Sequence, residues 1–334
     1  MNIFNKLVAS TTLGLAAIAS LAFTTPATAD DCCWLGEFHA GIGADYLYLT
    51  PCVGNLEYAV KNEGARGDFT SFFHSKYIQP GFNSGYRGYA FVDNVYGDIG
   101  GKVSYTYLFA SKMDATFADA GESIFLVYPG GLPDFDAIGT SADSRWTMRY
   151  RTLEGLLGYH INFNESVGSN FSVTLFTGIQ GVHVEQHLRS HLYDANDIEL
   201  IALHTDTEYS GVGSISGLEF KYPLFCGLSW YSMMSGSFII GDVDSHIDAY
   251  TSEATNPGVT ATRLLADTDC VCFPGWHMMS GLNYAINTCG MEFDIKVGYE
   301  YQAWVNVPVI GLRDTGHDQN FTLWGLYAGA QISF

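Results

Sequence analysis

Apolar side chains alternate with small or polar ones along the last thirteen residues of the chain. Counting back from Phe334, the apolar set includes Ile332, Ala328 and Trp324, with mostly glycine or polar residues between them. A period of two predicts a β-strand with two unlike faces. A terminal aromatic residue after this alternation is typical of the last strand of a bacterial outer-membrane barrel. We expect Phe334, Ile332 and Trp324 to form the signal that the barrel-assembly machinery reads.

The same alternation recurs along the chain, which gives ten predicted strands. Most are ten residues or longer, which suits membrane strands of about 9–11 residues better than globular strands of about 5–6. In one segment the apolar positions change parity after Arg151, and a β-bulge near Thr152 would explain the change. The alternative of twelve strands stays open, because Asn55–Val60 and Ser123–Tyr128 could add a hairpin. The ten predicted strands cover 37–50, 78–92, 99–109, 145–160, 171–187, 209–220, 228–240, 276–286, 291–303 and 322–334.

The connections between the predicted strands alternate between long and short. With ten strands, both chain ends fall on the side of the short turns, which outer-membrane barrels place in the periplasm. The long connections carry most of the acidic residues, as in 188–206 and 242–274. No Pro/Ser/Gly-rich linker or change of composition divides the chain. The sequence therefore predicts an all-β fold: one antiparallel transmembrane β-barrel spanning residues 30–334.

The N-terminus has the pattern of an export signal. Lys6 precedes an apolar stretch from Leu7 to Phe23, and Ala27-Thr28-Ala29 follows as a cleavage site. This arrangement predicts a Sec signal peptide over residues 1–29 that is removed before Asp30. No later run of about 18 apolar residues offers a transmembrane helix. The predicted location is the bacterial outer membrane.

Composition supports a membrane barrel and limits its partners. Aromatic residues make up 15% of the chain and charged residues another 15%, whereas soluble domains have about 25% charged residues. The formal net charge of −20 argues against nucleic acid, which needs basic patches. Acidic external loops are solvated by default; divalent cations could also bridge them to lipopolysaccharide. We therefore expect outer-membrane lipid and lipopolysaccharide as the surroundings of the barrel.

Several stretches, in this order and spacing, resemble the Legionella-type major outer-membrane protein family, a pore-forming group also found in chlamydia-like bacteria. The resemblance spans most of the chain after residue 29 and implies a barrel with a porin-like role and no catalytic residues. Glu154 stands where the family often has Asp, which leaves its role open. The stretches are Gly81–Tyr86, Asp98–Tyr107, Arg145–Tyr150, Leu153–Gly158, Ser210–Glu219 and Leu228–Gly241.

If the apolar faces meet lipid, the polar faces line the lumen. Basic residues then stand on one wall and mostly acidic ones on the other, which would set a transverse field for permeating ions. The alternative is direct pairing of arginine with carboxylate, which would fill a narrow barrel. The leading hypothesis is passive diffusion of small hydrophilic solutes or ions; the other is a structural or adhesive surface barrel. The predicted lumenal residues are Arg87, Lys102, Arg145, Arg149, Arg151, Glu292, Asp294, Lys296, Glu300 and Gln302.

Seven cysteines are present, and the export route permits disulfides. The topology places Cys32, Cys33, Cys226 and Cys289 on the periplasmic side and Cys52, Cys270 and Cys272 on the outer side. An odd total leaves at least one thiol free or joined between chains. Cross-linking to envelope proteins, formation of a homo-oligomer and an internal disulfide of Cys52 with Cys270 or Cys272 all stay open.

The sequence predicts no enzyme, cofactor or metal site. Its histidines are scattered, and no Gly-x-Ser-x-Gly or comparable nucleophile motif occurs. A zinc site from Cys270, Cys272 and His277 would lack a fourth ligand and the usual spacing.

Overall fold

The computed structural model describes residues 39–54, 56–63, 73–96, 98–128, 132–133, 138–163, 171–251, 262–288, 291–307 and 319–334. The predicted signal peptide and Cys32, Cys33 and Cys289 lie outside these ranges. Among the described residues, no helix is long and apolar enough to cross a membrane.

Fourteen strands make up the described structure, and ten of them close into an antiparallel barrel in the order β1-β14-β13-β12-β11-β10-β9-β8-β5-β4. The predicted fold class and the predicted ten barrel strands are therefore confirmed. The strands are β1 (His39–Val53), β2 (Glu57–Asn62), β3 (Phe73–Tyr77), β4 (Asn83–Tyr96), β5 (Ile99–Phe117), β6 (Ser123–Tyr128), β7 (Leu132–Pro133), β8 (Ser141–Phe163), β9 (Phe171–Tyr193), β10 (Glu199–Phe225), β11 (Leu228–Thr251), β12 (Thr262–Thr288), β13 (Met291–Val307) and β14 (Gln319–Ser333).

The first and last strands join to close the barrel. Ile42 stands opposite Ile332, and Tyr46 opposite Ala328. The main chains of Ala40 and Phe334 exchange two hydrogen bonds, of 3.0 and 2.9 Å. Closure leaves no unpaired strand edge facing lipid, where an unsatisfied backbone group would cost several kcal/mol.

The remaining four strands form a separate sheet in the order β3-β2-β6-β7. Both segments that could have added a barrel hairpin lie in it, so the twelve-strand alternative is wrong. Tyr58 and Leu126 of this sheet are buried in one hydrophobic cluster with Leu47 and Trp146 of the barrel. The Tyr58 hydroxyl also donates to Asp114 Oδ2 of β5 at 3.1 Å. The small sheet thus packs against the outer end of the barrel, where the long connections lie.

Strands β8 to β12 are 23–27 residues long, more than twice the length of about 9–11 residues that crosses a membrane. Much of the sequence that we predicted as acidic loops at 188–206 and 242–274 is therefore strand. The prediction failed because polar side chains on an outward strand face in water have the same composition as a loop.

The β8 strand shows why the hydrophobic pattern changes parity. Its register against β5 and β9 is continuous from end to end, so the predicted bulge near Thr152 is wrong. Near the outer end, Trp146 points inward and is buried, whereas Arg149 points outward. Near the inner end, Leu157 points outward and His160 inward. The apolar side chains change face because the barrel leaves the membrane, and the strand itself stays regular.

Apolar side chains mark the part of the barrel that lies in the membrane. Strand β13 alternates exposed Phe293 to Tyr301 with lumenal residues, and Trp230 to Ile240 of β11 and Trp276 to Ile286 of β12 do the same. Beyond this band, the outward faces of β8 to β11 become charged. The β10–β11 turn closes the opposite, inner end with positive φ at Cys226 (46°) and Gly227 (82°), as a tight two-residue hairpin requires.

Candidate functional site

Six of the ten predicted lumenal residues lie inside the barrel: Arg87, Lys102, Asp294, Lys296, Glu300 and Gln302. Glu292 lines the inner mouth. The prediction for Arg145, Arg149 and Arg151 is wrong, because they alternate with buried Trp146, Met148 and Tyr150 and face outward. Their strand leaves the membrane at this level, where the lumen is apolar and the outside is water.

A charged layer crosses the middle of the lumen. Arg87 donates from Nη2 to Glu300 Oε1 of β13, three strands away around the barrel, and from Nε to Thr106 Oγ1 at 3.1 Å. Its Nη1 lies 3.5 Å from Asp45 Oδ2. The side chains of Arg87 and Asp45 are each 6% exposed and that of Glu300 is fully buried. A predicted basic and a predicted acidic residue of the lumen therefore form a direct ion pair, as in the alternative of a filled narrow barrel.

Further hydrogen bonds hold the carboxylate of this layer in place. Glu300 Oε1 also contacts His277 Nε2 at 2.8 Å and accepts a hydrogen bond from the Gln302 amide. Gln302 Oε1 in turn accepts from the Tyr150 hydroxyl at 2.6 Å. This network links β4, β8, β12 and β13 across the lumen. These contacts offset part of the desolvation of the buried charge pair, whereas Glu300 Oε2 and Asp45 Oδ1 have no hydrogen-bond partner among the described residues.

Between the charged layer and the outer end of the barrel, apolar side chains fill most of the lumen. They come from both the barrel wall and the small sheet and form one continuous cluster. The fully or almost fully buried members include Leu47, Tyr58, Leu108, Trp146, Met148, Leu188, Leu203, Ile239, Phe273, Phe321 and Leu323. The outer half of the barrel thus has a packed, mainly apolar core like that of a soluble β-barrel.

Between the charged layer and the inner end of the barrel, the lumen holds a cavity of about 320 Å³. A second cavity of about 590 Å³ at the inner mouth shares Asp93, His160 and Lys221 with it. The inner mouth lies among the strand ends beside Phe334. The lumen is therefore polar and accessible at the inner end, whereas its outer half is packed.

Glu154, whose role the family resemblance left open, lies in the lumen. Its Oε2 accepts from Ser104 at 2.9 Å and its Oε1 from the Gln180 amide at 2.7 Å. These contacts join β8 to both of its neighbours, β5 and β9. Glu154 therefore serves as a cross-strand acceptor on the polar wall.

The outward faces of β8 to β11 beyond the membrane carry a ladder of paired charges. Arg149 Nη1 lies 3.0 Å from Glu185 Oε2. Asp206 accepts from His187 through Oδ1 and lies 3.1 Å from His246 Nε2 through Oδ2. The hydrogen bond from His187, together with the positive charge on the two histidines when protonated, holds the pKa of Asp206 below its usual range, against the opposing effect of partial burial.

Removing the Asp206 charge should destabilise the protein at neutral pH but not in acid, where Asp206 is already protonated. We expect Asp206→Asn to lower the free energy of unfolding by about 1 kcal/mol at pH 7, because a partly exposed charged hydrogen bond is worth about that much. A lowered pKa contributes stability above the unfolded value of about 3.9, and this contribution disappears as pH falls through the folded value. The difference from wild type should therefore be present at neutral pH and close in acid, once Asp206 is protonated in the folded protein as well.

Urea unfolding in detergent micelles at neutral and acid pH measures this difference. Asp197→Asn is the matched control, because Asp197 is exposed in the β9–β10 turn at φ 58°, a conformation that asparagine also tolerates. An unfolding difference for Asp206→Asn that persists unchanged at low pH would contradict the assignment.

One part of the ladder has the connectivity of a catalytic triad. His183 Nδ1 lies 2.7 Å from Ser210 Oγ, and His183 Nε2 lies 2.8 Å from Glu185 Oε1. Ser210 stands in the middle of β10, paired with His183 on one side and Asp242 on the other. The neighbouring main-chain N–H groups serve the sheet, so they offer no donors to a developing oxyanion.

The cysteines of the described residues are unpaired. Cys52, Cys226, Cys270 and Cys272 are free, and β13 and β14 separate β1 from β12. Two intervening strands place the Cα atoms about three strand spacings of roughly 4.8 Å apart, beyond disulfide reach. The predicted internal disulfide of Cys52 with Cys270 or Cys272 is therefore not formed. His277 points into the lumen, contacting Glu300, whereas Cys272 lies on the outward face of β12.

Sequence reasoning missed Asp45, His277 and Tyr89 as lumenal groups. Asp45 was visible as the polar member of an alternating strand, opposite Arg87 in the register of β1 and β4. His277 was visible in the same way, as a polar residue between apolar Trp276 and Met278. Tyr89 gave no such signal, since a tyrosine fits either face of a membrane strand.

Comparison with known proteins gives a family and several distant structural likenesses. The family described as Legionella pneumophila major outer membrane protein precursor matches residues 37–334. Among curated proteins nothing matches the chain. The outer membrane protease OmpT from Escherichia coli is 8% identical, with a TM-score of 0.41 over 89% of this chain and 96% of that one. A major outer membrane protein from Thermus thermophilus is 10% identical, with a TM-score of 0.37 over 90% of this chain and 100% of that one.

The attachment invasion locus protein Ail of Yersinia pestis is 11% identical, with a TM-score of 0.25 over 90% of this chain and 100% of that one. These scores are too low to carry an argument about function. The family match, in contrast, includes all ten barrel strands. The protein therefore belongs to the Legionella pneumophila major outer membrane protein family and is an outer-membrane β-barrel.

Proposed function

We propose that this protein is a surface barrel of the cell envelope with a structural or adhesive role and little or no conductance. The observation that carries the proposal is the buried ion pair of Arg87 and Glu300 in the middle of the lumen. Apolar side chains around Trp146 and Phe321 fill the space between this pair and the outer end. A solute entering from the inner cavity would have to displace both layers.

The long outer strands support a role at the surface. The outward faces of β8 to β11 present charged groups such as Arg149 and Asp206 well beyond the membrane band. Exposed Cys52 and Cys270 are unpaired at the same end and would be available for disulfides to neighbouring envelope proteins. Lipopolysaccharide, the barrel-assembly machinery and a homo-oligomer remain our expected partners. Cleavage of the signal peptide near Ala29 and the lack of catalysis are parts of the same proposal.

Planar-bilayer recording of the refolded protein tests the closed lumen. We expect no step conductance across voltages of either sign, because the Arg87–Glu300 pair and the apolar side chains of the outer half occupy the lumen. Heat-modifiable migration on gels serves as the control that the barrel is folded, so that silence is not confused with misfolding. A stable, ohmic conductance of the folded wild-type protein would overturn the proposal.

The second candidate is the pore predicted from the sequence, passing small hydrophilic solutes or ions after a conformational change. The polar inner cavity with Lys102 and Lys296 favours it. In that case the central layer would be a gate, and the double variant Arg87→Met/Glu300→Gln should conduct. A closed surface barrel predicts that this variant stays silent, because the apolar outer half still fills the lumen.

A further inference from the structure

The inner cavity contains two lysines that share one aromatic ring. Lys102 Nζ lies 4.7 Å and Lys296 Nζ 5.2 Å from the centre of the Tyr89 ring. Lys296 also donates to the Tyr89 hydroxyl at 3.3 Å. The two ammonium groups thus approach the same small region of the cavity from β5 and β13.

Neither lysine makes an ion pair within the part of the chain that the structure describes. The nearest acidic neighbour along β13, Asp294, is engaged elsewhere: its oxygens accept from Asn283 at 2.7 Å and from Gln331 at 2.6 Å. Two like charges in a confined space are unfavourable, and Glu219, which lines the same cavity, offers one carboxylate to the two of them. An anion between them would remove that repulsion.

The charges that line the cavity favour an anion although the chain has a formal net charge of −20. Three lysines, Lys102, Lys221 and Lys296, stand against two carboxylates, Asp93 and Glu219. Asp93 is already partnered by His160 at 3.2 Å. The excess of positive charge is therefore local to this cavity.

Apolar groups and a spare donor surround the lysine pair. Lys102 stands between Phe91 and Leu156 on the two neighbouring strands, and both residues line the cavity. Tyr231 lines it as well; it is 8% exposed, and its hydroxyl has no hydrogen-bond partner among the described residues. The volume of about 320 Å³ is at the lower end of the range for small-molecule sites, about 300–1,000 Å³.

The geometry points to a binding site for a small amphipathic organic anion, a carboxylate attached to an apolar group, entered from the inner mouth of the barrel. The carboxylate lies between Lys102 and Lys296, and the apolar group lies against Phe91 and Leu156. The Tyr231 hydroxyl is available as a further donor. The site is separate from the proposed surface role, because it lies on the opposite side of the Arg87–Glu300 layer.

Isothermal titration calorimetry with benzoate tests the site on the purified, folded protein in a zwitterionic detergent, which does not compete as an anion. We expect saturable binding of benzoate and none of benzamide, its neutral counterpart. Lys102→Met and Lys296→Met should each weaken binding by at least about tenfold, because each removes one charge-assisted contact. Lys102→Arg and Lys296→Arg keep the charge and should bind.

Lys112→Met is the matched control, because Lys112 lies on the same strand as Lys102 but is exposed near its outer end; it should bind like wild type. Absence of saturable benzoate binding would overturn the proposal. So would equal binding of benzamide, or wild-type affinity in both methionine variants. Competition by inorganic phosphate would support the lysine pair as the anion contact, whereas binding of phosphate without benzoate would overturn the amphipathic assignment. Glutamine replaces methionine if a variant fails to fold, and the benzamide comparison needs no variant.

Discussion

Arg87→Met is expected to lower the free energy of unfolding of the barrel by about 3–5 kcal/mol. The change leaves Glu300 fully buried without its cation, and removing one partner of a buried ion pair costs about that much. The contacts of Glu300 with His277 and Gln302 do not replace the guanidinium, since only a protonated histidine would carry charge. Urea unfolding in detergent micelles, followed by tryptophan fluorescence, measures the loss.

Two further variants separate the ion pair from a general effect of losing an arginine. Arg87→Met/Glu300→Gln removes both charges of the central pair and should recover part of the loss, because a neutral side chain is tolerated where a lone charge is not. The recovery should be incomplete, because Asp45 still loses its contact with Arg87. Arg149→Met removes one of the partners of Glu185; the Arg149 side chain is 49% exposed to water, and its loss should cost less than about 1 kcal/mol. Wild-type stability of Arg87→Met would show that the central pair does not hold the barrel together.

Trp146→Ala is expected to cost about 3–5 kcal/mol, because it empties a large volume in the apolar core of the outer half. The Trp146 side chain is fully buried, and its indole N–H donates to Gln186 Oε1 at 3.3 Å. Its removal takes packing from the small sheet as well, since Tyr58 belongs to the same cluster. The same urea titration detects the change, and increased protease cleavage near the small sheet would accompany it.

Trp276→Ala is the matched control for this prediction. Trp276 lies in the outward apolar band and is 57% exposed, so detergent or lipid can fill the space that alanine leaves. We expect the cost to be clearly below that of Trp146→Ala. If the lipid-facing substitution were the more damaging one, Trp146 would not lie in a packed lumen.

The two variants together test the exchange of faces along the barrel. In the membrane the apolar residues face outward and the polar ones line the lumen, as with Leu157 and His160 of β8. Beyond the membrane the arrangement is that of a water-soluble barrel, with Trp146 inside and Arg149 outside. One strand thus passes through two solvents, and each solvent selects the residues that face it.

The number and direction of the barrel strands could be predicted from the sequence alone. Alternation with a period of two depends only on the geometry of a single strand. Every strand that crosses the membrane shows it, because one face meets lipid and the other meets the lumen. The strand that ends at Phe334 was visible for this reason, and its pairing with β1 follows from the need to close the sheet. The lumenal positions of Lys102, Asp294, Lys296 and Glu300 followed from the same alternation.

What only the tertiary structure decided is the environment that each face meets. The apolar positions of β8 change parity near Thr152, but whether Arg149 faces water or the lumen depends on where the strand, in register with its neighbours, leaves the membrane. Arg87 and Glu300 are 213 positions apart in the sequence, so no local sequence pattern predicts that they form a pair. The sequence therefore determined the wall of this barrel. The packing across the lumen determined what the wall encloses: an apolar core in the outer half, a charged layer in the middle and a polar cavity at the inner end.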